Sequence, residues 1–265
     1  MRPEPSDSQP SGTLIAPSII MQAREQLARM VRSRVFLFLI IISISLDATS
    51  VVGNAKTQSR LYRTHAVSAS HFGLVLVQLG FGSLLFAAII GALIPLTEFR
   101  DRTIGRTVLF ARGPRRLVSG QLVASLVLGA LFGLTGAATS TVAALICEHI
   151  NNVPTTWSGG VLASIVGVVA VSLLAAPWGV ALGWIGRHMT GTLAAIVVYT
   201  LAVEGAINAV APGVWKWLPG GAQAAIYRDA TTTHLGQLAG VFLFLGWLAV
   251  AGGAAVWRWY HGDLL

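Results

Sequence analysis

Charge is what this sequence has least of. Of its 265 residues, 11% are Asp, Glu, Lys or Arg, against about 25% in soluble globular chains. Apolar residues make up 54% of the chain, and mean hydropathy is +0.71. Those values exclude an ordinary soluble domain and point to a polytopic membrane protein. Strand-like alternation is also missing. The apolar stretches run for about twenty residues without a polar residue at every second position, which argues against a transmembrane barrel. Cysteine is nearly absent: Cys147 stands alone, so no internal disulfide can form.

Catalytic and nucleotide-binding signatures are lacking as well. No GxxxxGK followed by Ser or Thr occurs. "GNAKT" (53–57) has the Lys–Thr pair without the glycines at the required spacing. HExxH and GxSxG are absent, and no two of the six histidines share a metal-ligand spacing on one helix. "CEH" (147–149) reads as the polar end of a helix. The chain is therefore expected to be no enzyme in its own right, with no catalytic residue, metal or bound cofactor. A net charge of +8 could suggest nucleic acid, but no aromatic platform for bases accompanies it. Loop arginines beside a bilayer explain it better.

What is present is six long apolar segments, at about 35–53, 73–96, 118–146, 160–186, 191–211 and 236–257. Each can cross a hydrocarbon core of about 30 Å at 1.5 Å per residue. With the N-terminus inside, the inner segments carry 13 Lys and Arg and the outer loops 5. This positive-inside bias puts both termini in the cytoplasm. Residues 1–17, rich in Pro and Ser, read as a disordered tail. Residues 18–34 read as a basic amphipathic helix on the inner leaflet, with Ser18 as cap and Ile20, Ala23, Leu27, Met30 and Val31 on the apolar face. Residues 35–265 form the six-span domain. Pro219, Gly220 and Gly221 interrupt the last outer loop (212–235), predicting a re-entrant or surface segment there. Trp215, Trp217 and Tyr227 read as interfacial anchors.

The loop between the second and third spans, "TEFRDRTIGRTVLFARGPRR" (97–116), holds six arginines. Thr97 is positioned to cap a helix with Glu98 and Asp101 in its first turn. Phe99, Thr103, Thr107 and Phe110 then fall on one face, Glu98 and Arg102 form an i,i+4 pair, and Gly113–Pro114 stops the helix. A short amphipathic helix held between two spans suits docking into a groove on a soluble partner. Two carboxylates, Asp47 and Glu204, lie inside spans. They are candidates for a cargo path, or else structural groups, each near a span end or paired with Lys56 or with a polar neighbour.

The stretch "TEFRDRTIGRTVLFARGPRRLVSGQLVAS" resembles the segment between spans two and three of bacterial ABC-transporter permeases of the type-2 exporter family. The likeness covers residues 97–124, with departures at Arg102, where glycine is common, and at Gln121, where lysine is common. It implies an all-α, six-span fold of the type-2 (G-type) exporter kind. It also implies an interfacial helix before the first span and a cytoplasmic coupling helix. Glu98, Phe99, Arg100, Thr103, Ile104, Thr107, Leu109, Phe110, Arg115 and Arg116 would take the coupling positions facing a separate ATPase subunit. ATP and Mg would reside on two copies of that subunit, and two permease copies would pair, as a homodimer, in the bacterial inner membrane. The implied function is outward export of an amphipathic cargo: a drug, natural product, lipid or antimicrobial peptide, with antibiotic resistance as one outcome. The rival readings are a membrane anchor or sensor that docks a soluble partner, and an intramembrane enzyme using Glu204, Asp47 or Cys147.

Overall fold

The computed structural model describes residues 19–111, 113–156, 158–229 and 235–261, and every regular element among them is helical. In chain order these are α1 (Ile19–Val31), α2 (Arg34–Arg63), α3 (Ala69–Gln78), α4 (Gly82–Arg100), α5 (Ile104–Phe110) and α6 (Pro114–Ile150). There follow α7 (Gly159–Gly186), α8 (Met189–Val198), α9 (Glu204–Val210), α10 (Pro212–Trp215), α11 (Pro219–Ile226) and α12 (Gln237–His261). A 3₁₀ turn, Leu79–Phe81, joins α3 to α4, and a π turn, Tyr199–Val203, joins α8 to α9. Six of the resulting rods are long and apolar enough to cross a membrane. Helices satisfy their own backbone groups, the condition hydrocarbon imposes on a spanning segment. The chain is thus a multi-pass, all-helical membrane protein. The tail 1–17, Ser18 and residues 230–234 of the last interspan loop lie outside the described residues.

α4, α6 and α7 make the centre of the bundle, while α2, α8–α9 and α12 bury only a small part of their surface. Small residues set the closeness of the central helices. A Cβ on Gly91 would run into the Ala176 carbonyl, and one on Gly179 into that of Ala88, so α4 and α7 touch backbone to backbone. Gly129 and Gly133 let α6 approach α7 in the same way. Ser83 and Ser172 share a buried hydrogen bond of 3.1 Å across this seam. Close packing and interhelical hydrogen bonds are what hold helices together in lipid, where the hydrophobic effect is lost.

α11 dips into the bundle rather than lying on its surface. Gly221 to Ile226 are all buried, Gly167 of α7 admits Ile226 and Tyr227, and Gly240 of α12 admits Ala225. Tyr227 stacks on Phe81 at 5.7 Å between ring centroids, and Gln78 donates to the Arg228 carbonyl. Trp215 and Tyr227 are accordingly buried, whereas Trp217 is exposed and its carbonyl accepts from the Trp247 indole at 2.9 Å.

Four helices end on the same motif. At His65, Arg102, Asn152 and Arg228 the backbone turns left-handed, with φ between 55° and 61°. The next residue then bonds back to the carbonyl five residues before it, as Thr103 does to Glu98 and Val153 to Glu148. This is the Schellman C-cap, whose left-handed position is usually glycine.

Candidate functional site

The second span does not stop where its sequence suggests. Thr97 lies inside α4 and bonds back to the Ile94 carbonyl instead of capping a new helix. α4 runs on through Arg100, turns at Arg102, and α5 begins at Ile104 with Thr103 before it. The reason is the inward turn of Glu98. It is 1% exposed, so the expected surface pair with Arg102 is not made. Its carboxylate accepts from Gln26 Nε2 of α1 at 2.5 Å and from Gln121 Nε2 of α6 at 3.2 Å. Arg29 Nη1 stands 3.9 Å away, a contact of small energetic weight because the arginine is largely in solvent. Gln121 Oε1 in turn accepts from the Trp184 indole of α7 at 2.8 Å. One chain of hydrogen bonds therefore ties α1, α4, α6 and α7 together where the bundle meets the arginine-rich loop.

An aromatic group continues this network. Trp184 packs edge-on against Phe99 at 5.2 Å and against Trp259 of α12 at 5.0 Å. The Arg187 guanidinium lies 5.8 Å from the Phe99 ring and donates to the Arg258 carbonyl at 2.9 Å. Burial, and then the charge of Arg258, pull the Arg187 guanidinium below its ordinary pKa.

The expected single face of Phe99, Thr103, Thr107 and Phe110 is therefore divided. Phe99 belongs to the interior aromatic group and Ile104 is buried beneath α5, while Thr107 bonds to the Thr103 carbonyl at 3.1 Å. Leu109 and Phe110 point outward, 79% and 76% exposed. Arg100 pairs with Asp101 at 2.9 Å, and Arg115 and Arg116 are exposed at the start of α6. α1 also departs from its expected face. Ala23 and Met30 are buried and Leu27 packs on the core as expected, but Ile20 and Val31 are exposed and Gln22 and Gln26 are buried with them, because Gln26 faces inward to meet Glu98. Gln26, Gln121 and Trp184 were not singled out as site residues from sequence. The available signal was Gln121 standing where the resembling family commonly has a second charged residue.

The two carboxylates inside spans occupy separate places. Asp47 is fully buried beside Gly82, the first residue of α4, and no ion pair joins it to Lys56 among the described residues. Glu204 directly follows the π turn. Its Oε1 accepts from the Gly220 backbone N–H at 2.9 Å, in the first turn of α11, and Tyr199 donates a side-chain hydrogen bond to it. α11 has no side-chain cap of its own at Leu218, so a carboxylate sixteen residues upstream serves its N-terminus. Among the described residues no group of three His, Cys, Asp or Glu side chains could hold a metal ion.

No protein-family model matches the chain, and no curated protein matches it in sequence.

Proposed function

We propose that the chain is the membrane subunit of an ATP-driven exporter, taking the arginine-rich end as cytoplasmic and α5 as the element that receives a separate ATPase subunit. The observation that carries this reading is the exposure of Leu109 and Phe110 on a short helix fixed at both ends by spans. Such an apolar pair among arginines fits a groove on a soluble protein. Glu98 then has a different part from the exposed residues. It does not touch the partner; it passes displacement of α5 into α1, α6 and α7 through Gln26, Gln121 and Trp184. Two copies of the chain in one inner membrane, with two ATPases below them, complete the assembly. ATP closure pushes α5 and shifts the spans, and an amphipathic cargo leaves outward.

Co-purification tests this. The tagged chain, taken from its native membranes, is expected to bring down a Mg-ATP-hydrolysing subunit. A Leu109→Asp/Phe110→Asp variant should lose that subunit while inserting at the wild-type level. A wild-type preparation without ATPase would end the reading. An ATPase bound but never stimulated by cargo in liposomes would favour the anchor or sensor reading.

A further inference from the structure

The arginine-rich end of the bundle carries positive charge that its own carboxylates do not meet. Glu98 is turned inward onto Gln26 and Gln121, and Asp101 is taken by Arg100. Arg115 and Arg116 open α6, Arg187 follows the end of α7, and Arg258 lies in the last turn of α12. Among the described residues no carboxylate pairs with Arg115, Arg116 or Arg258. Burial, and then the charge of Arg258, lower the Arg187 pKa, so these two guanidiniums stand close together. Like charges gathered at one rim draw an anion to it.

Between these arginines a groove runs down into the bundle. α6 and α12 both pack on α7, and the space left between them has a volume of about 420 Å³. α7 forms the floor from Trp184 to Pro177, α6 one wall from Arg115 to Leu122, and α12 the other from Trp259 to Leu248. The α12 wall rises about 16 Å at 1.5 Å per residue, close to half of a hydrocarbon core of about 30 Å. The groove therefore reaches through one leaflet. Apart from Arg115 and Ser119, its lining is apolar residues and two tryptophans. Gly252 keeps it wide, since nothing lies within 4 Å of a Cβ built there.

We propose that this groove holds one anionic phospholipid, its phosphate on Arg115 at the mouth and one acyl chain laid along α7. Depth and charge together select that occupant. An acyl chain hangs from the headgroup level through a single leaflet, as the groove does. The Arg115 guanidinium offers a planar fork of N–H donors that matches phosphate oxygens, and Trp259 stands at the same level, where interfacial tryptophans belong. Basic pockets between spanning helices are a known form of anionic headgroup site. A zwitterionic lipid brings the same phosphate with its own ammonium, and so leaves the surplus charge of the rim unmet. Once seated, the lipid ties α12, which buries little of its surface, to α6. It also lies against Trp184, whose indole holds Gln121. The site needs neither an ATPase nor transport, and stands whether or not the exporter reading does.

Native mass spectrometry of the purified full chain in mild detergent tests this. Dioleoylphosphatidylglycerol and dioleoylphosphatidylcholine are titrated in parallel; they share both chains and the phosphate and differ in net charge. One retained phosphatidylglycerol per chain is expected, tighter than phosphatidylcholine by about fivefold or more. It should raise the melting temperature, where inorganic phosphate at the same concentration does not. Arg115 is exposed, so Arg115→Gln keeps the fold; it should weaken phosphatidylglycerol to the level of phosphatidylcholine. Gly252→Phe puts a ring into the open groove and should abolish retention of both lipids, with the lipid-free melting temperature unchanged. Arg60→Gln, on an exposed residue at the opposite end of the bundle, should bind as wild type. Equal affinity for the two lipids, an equal thermal shift with inorganic phosphate, or wild-type retention by either Arg115→Gln or Gly252→Phe would overturn the proposal.

Discussion

The Trp184 indole donates to Oε1 of Gln121 at 2.8 Å and so fixes which way that amide points. With its oxygen occupied, Gln121 can offer Glu98 only N–H groups, and the carboxylate takes them. Gln121→Leu would leave the indole without its acceptor and Glu98 without one of its donors. We expect it to destabilise the chain by about 2–4 kcal/mol, since each orphaned buried group costs about 1–3. Gln121→Lys should be milder, because an ammonium at that position pairs with Glu98 and leaves only the indole unmet. SDS titration of both variants gives the order; a lysine variant weaker than the leucine variant would refute it.

Arg102 holds φ at 55° on a helix C-terminus. Left-handed backbone costs an L-residue about 1–2 kcal/mol, part of which glycine returns as entropy of the unfolded chain. Arg102→Gly is therefore expected to stabilise the protein by about 0.5–1 kcal/mol. Arg102→Val, β-branched at a left-handed position, should destabilise it by a similar amount or more. Apparent melting temperatures of the three proteins, compared in one detergent, decide the matter.

Glu204 and Gly220 fit each other only while position 220 has no side chain, since an added Cβ would overlap the carboxylate. Gly220→Ala alone should cost about 1–3 kcal/mol, since the carboxylate must swing aside and the N-terminal hydrogen bond is lost. Glu204→Ala removes the clash together with the cap. The double variant should then lie well short of the sum of the singles, with a coupling of at least about 1 kcal/mol. Strict additivity would show that the two residues do not meet.

Two glycines in the middles of helices should respond in opposite directions to alanine. Gly91 faces the backbone of Ala176, whereas nothing lies within 4 Å of a Cβ built on Gly53. Gly91→Ala must separate α4 from α7 and should cost about 3 kcal/mol or more. Gly53→Ala should add stability of about 0.5–1 kcal/mol, the ordinary difference in helix propensity. Expression level and SDS resistance of the two variants provide the reading.

Hydropathy made the six spans legible because a run of twenty apolar residues carries its own evidence. Their true lengths were not, since α2 and α6 continue well past their apolar cores into polar sequence. The break before α11 was visible in Pro219, Gly220 and Gly221, but its depth was not. Nothing near those residues announces that Gly167 and Gly240 leave room for it. Glu98 was the hardest to read. A glutamate among arginines looks like surface, and its inward turn depends on Gln26 and Gln121, 72 and 23 residues away in sequence. The same long-range demand shifts the buried face of α1, which keeps Ala23 and Met30 but takes in Gln22 and Gln26 and leaves Ile20 and Val31 outside.

At five helix ends of this protein the left-handed backbone falls to residues other than glycine. In aqueous folds glycine commonly punctuates helix ends; here His65, Arg102, Asn152, Arg187 and Arg228 stand in left-handed positions, four of them charged or titratable. Glycines such as Gly91, Gly133 and Gly179 instead sit in mid-helix, where one rod rests on another. A reader taking every glycine as a stop sign would cut the chain where it is most tightly bound and miss these five turns. Strain therefore collects at helix ends, apart from the glycines on which α4, α6 and α7 rest against one another.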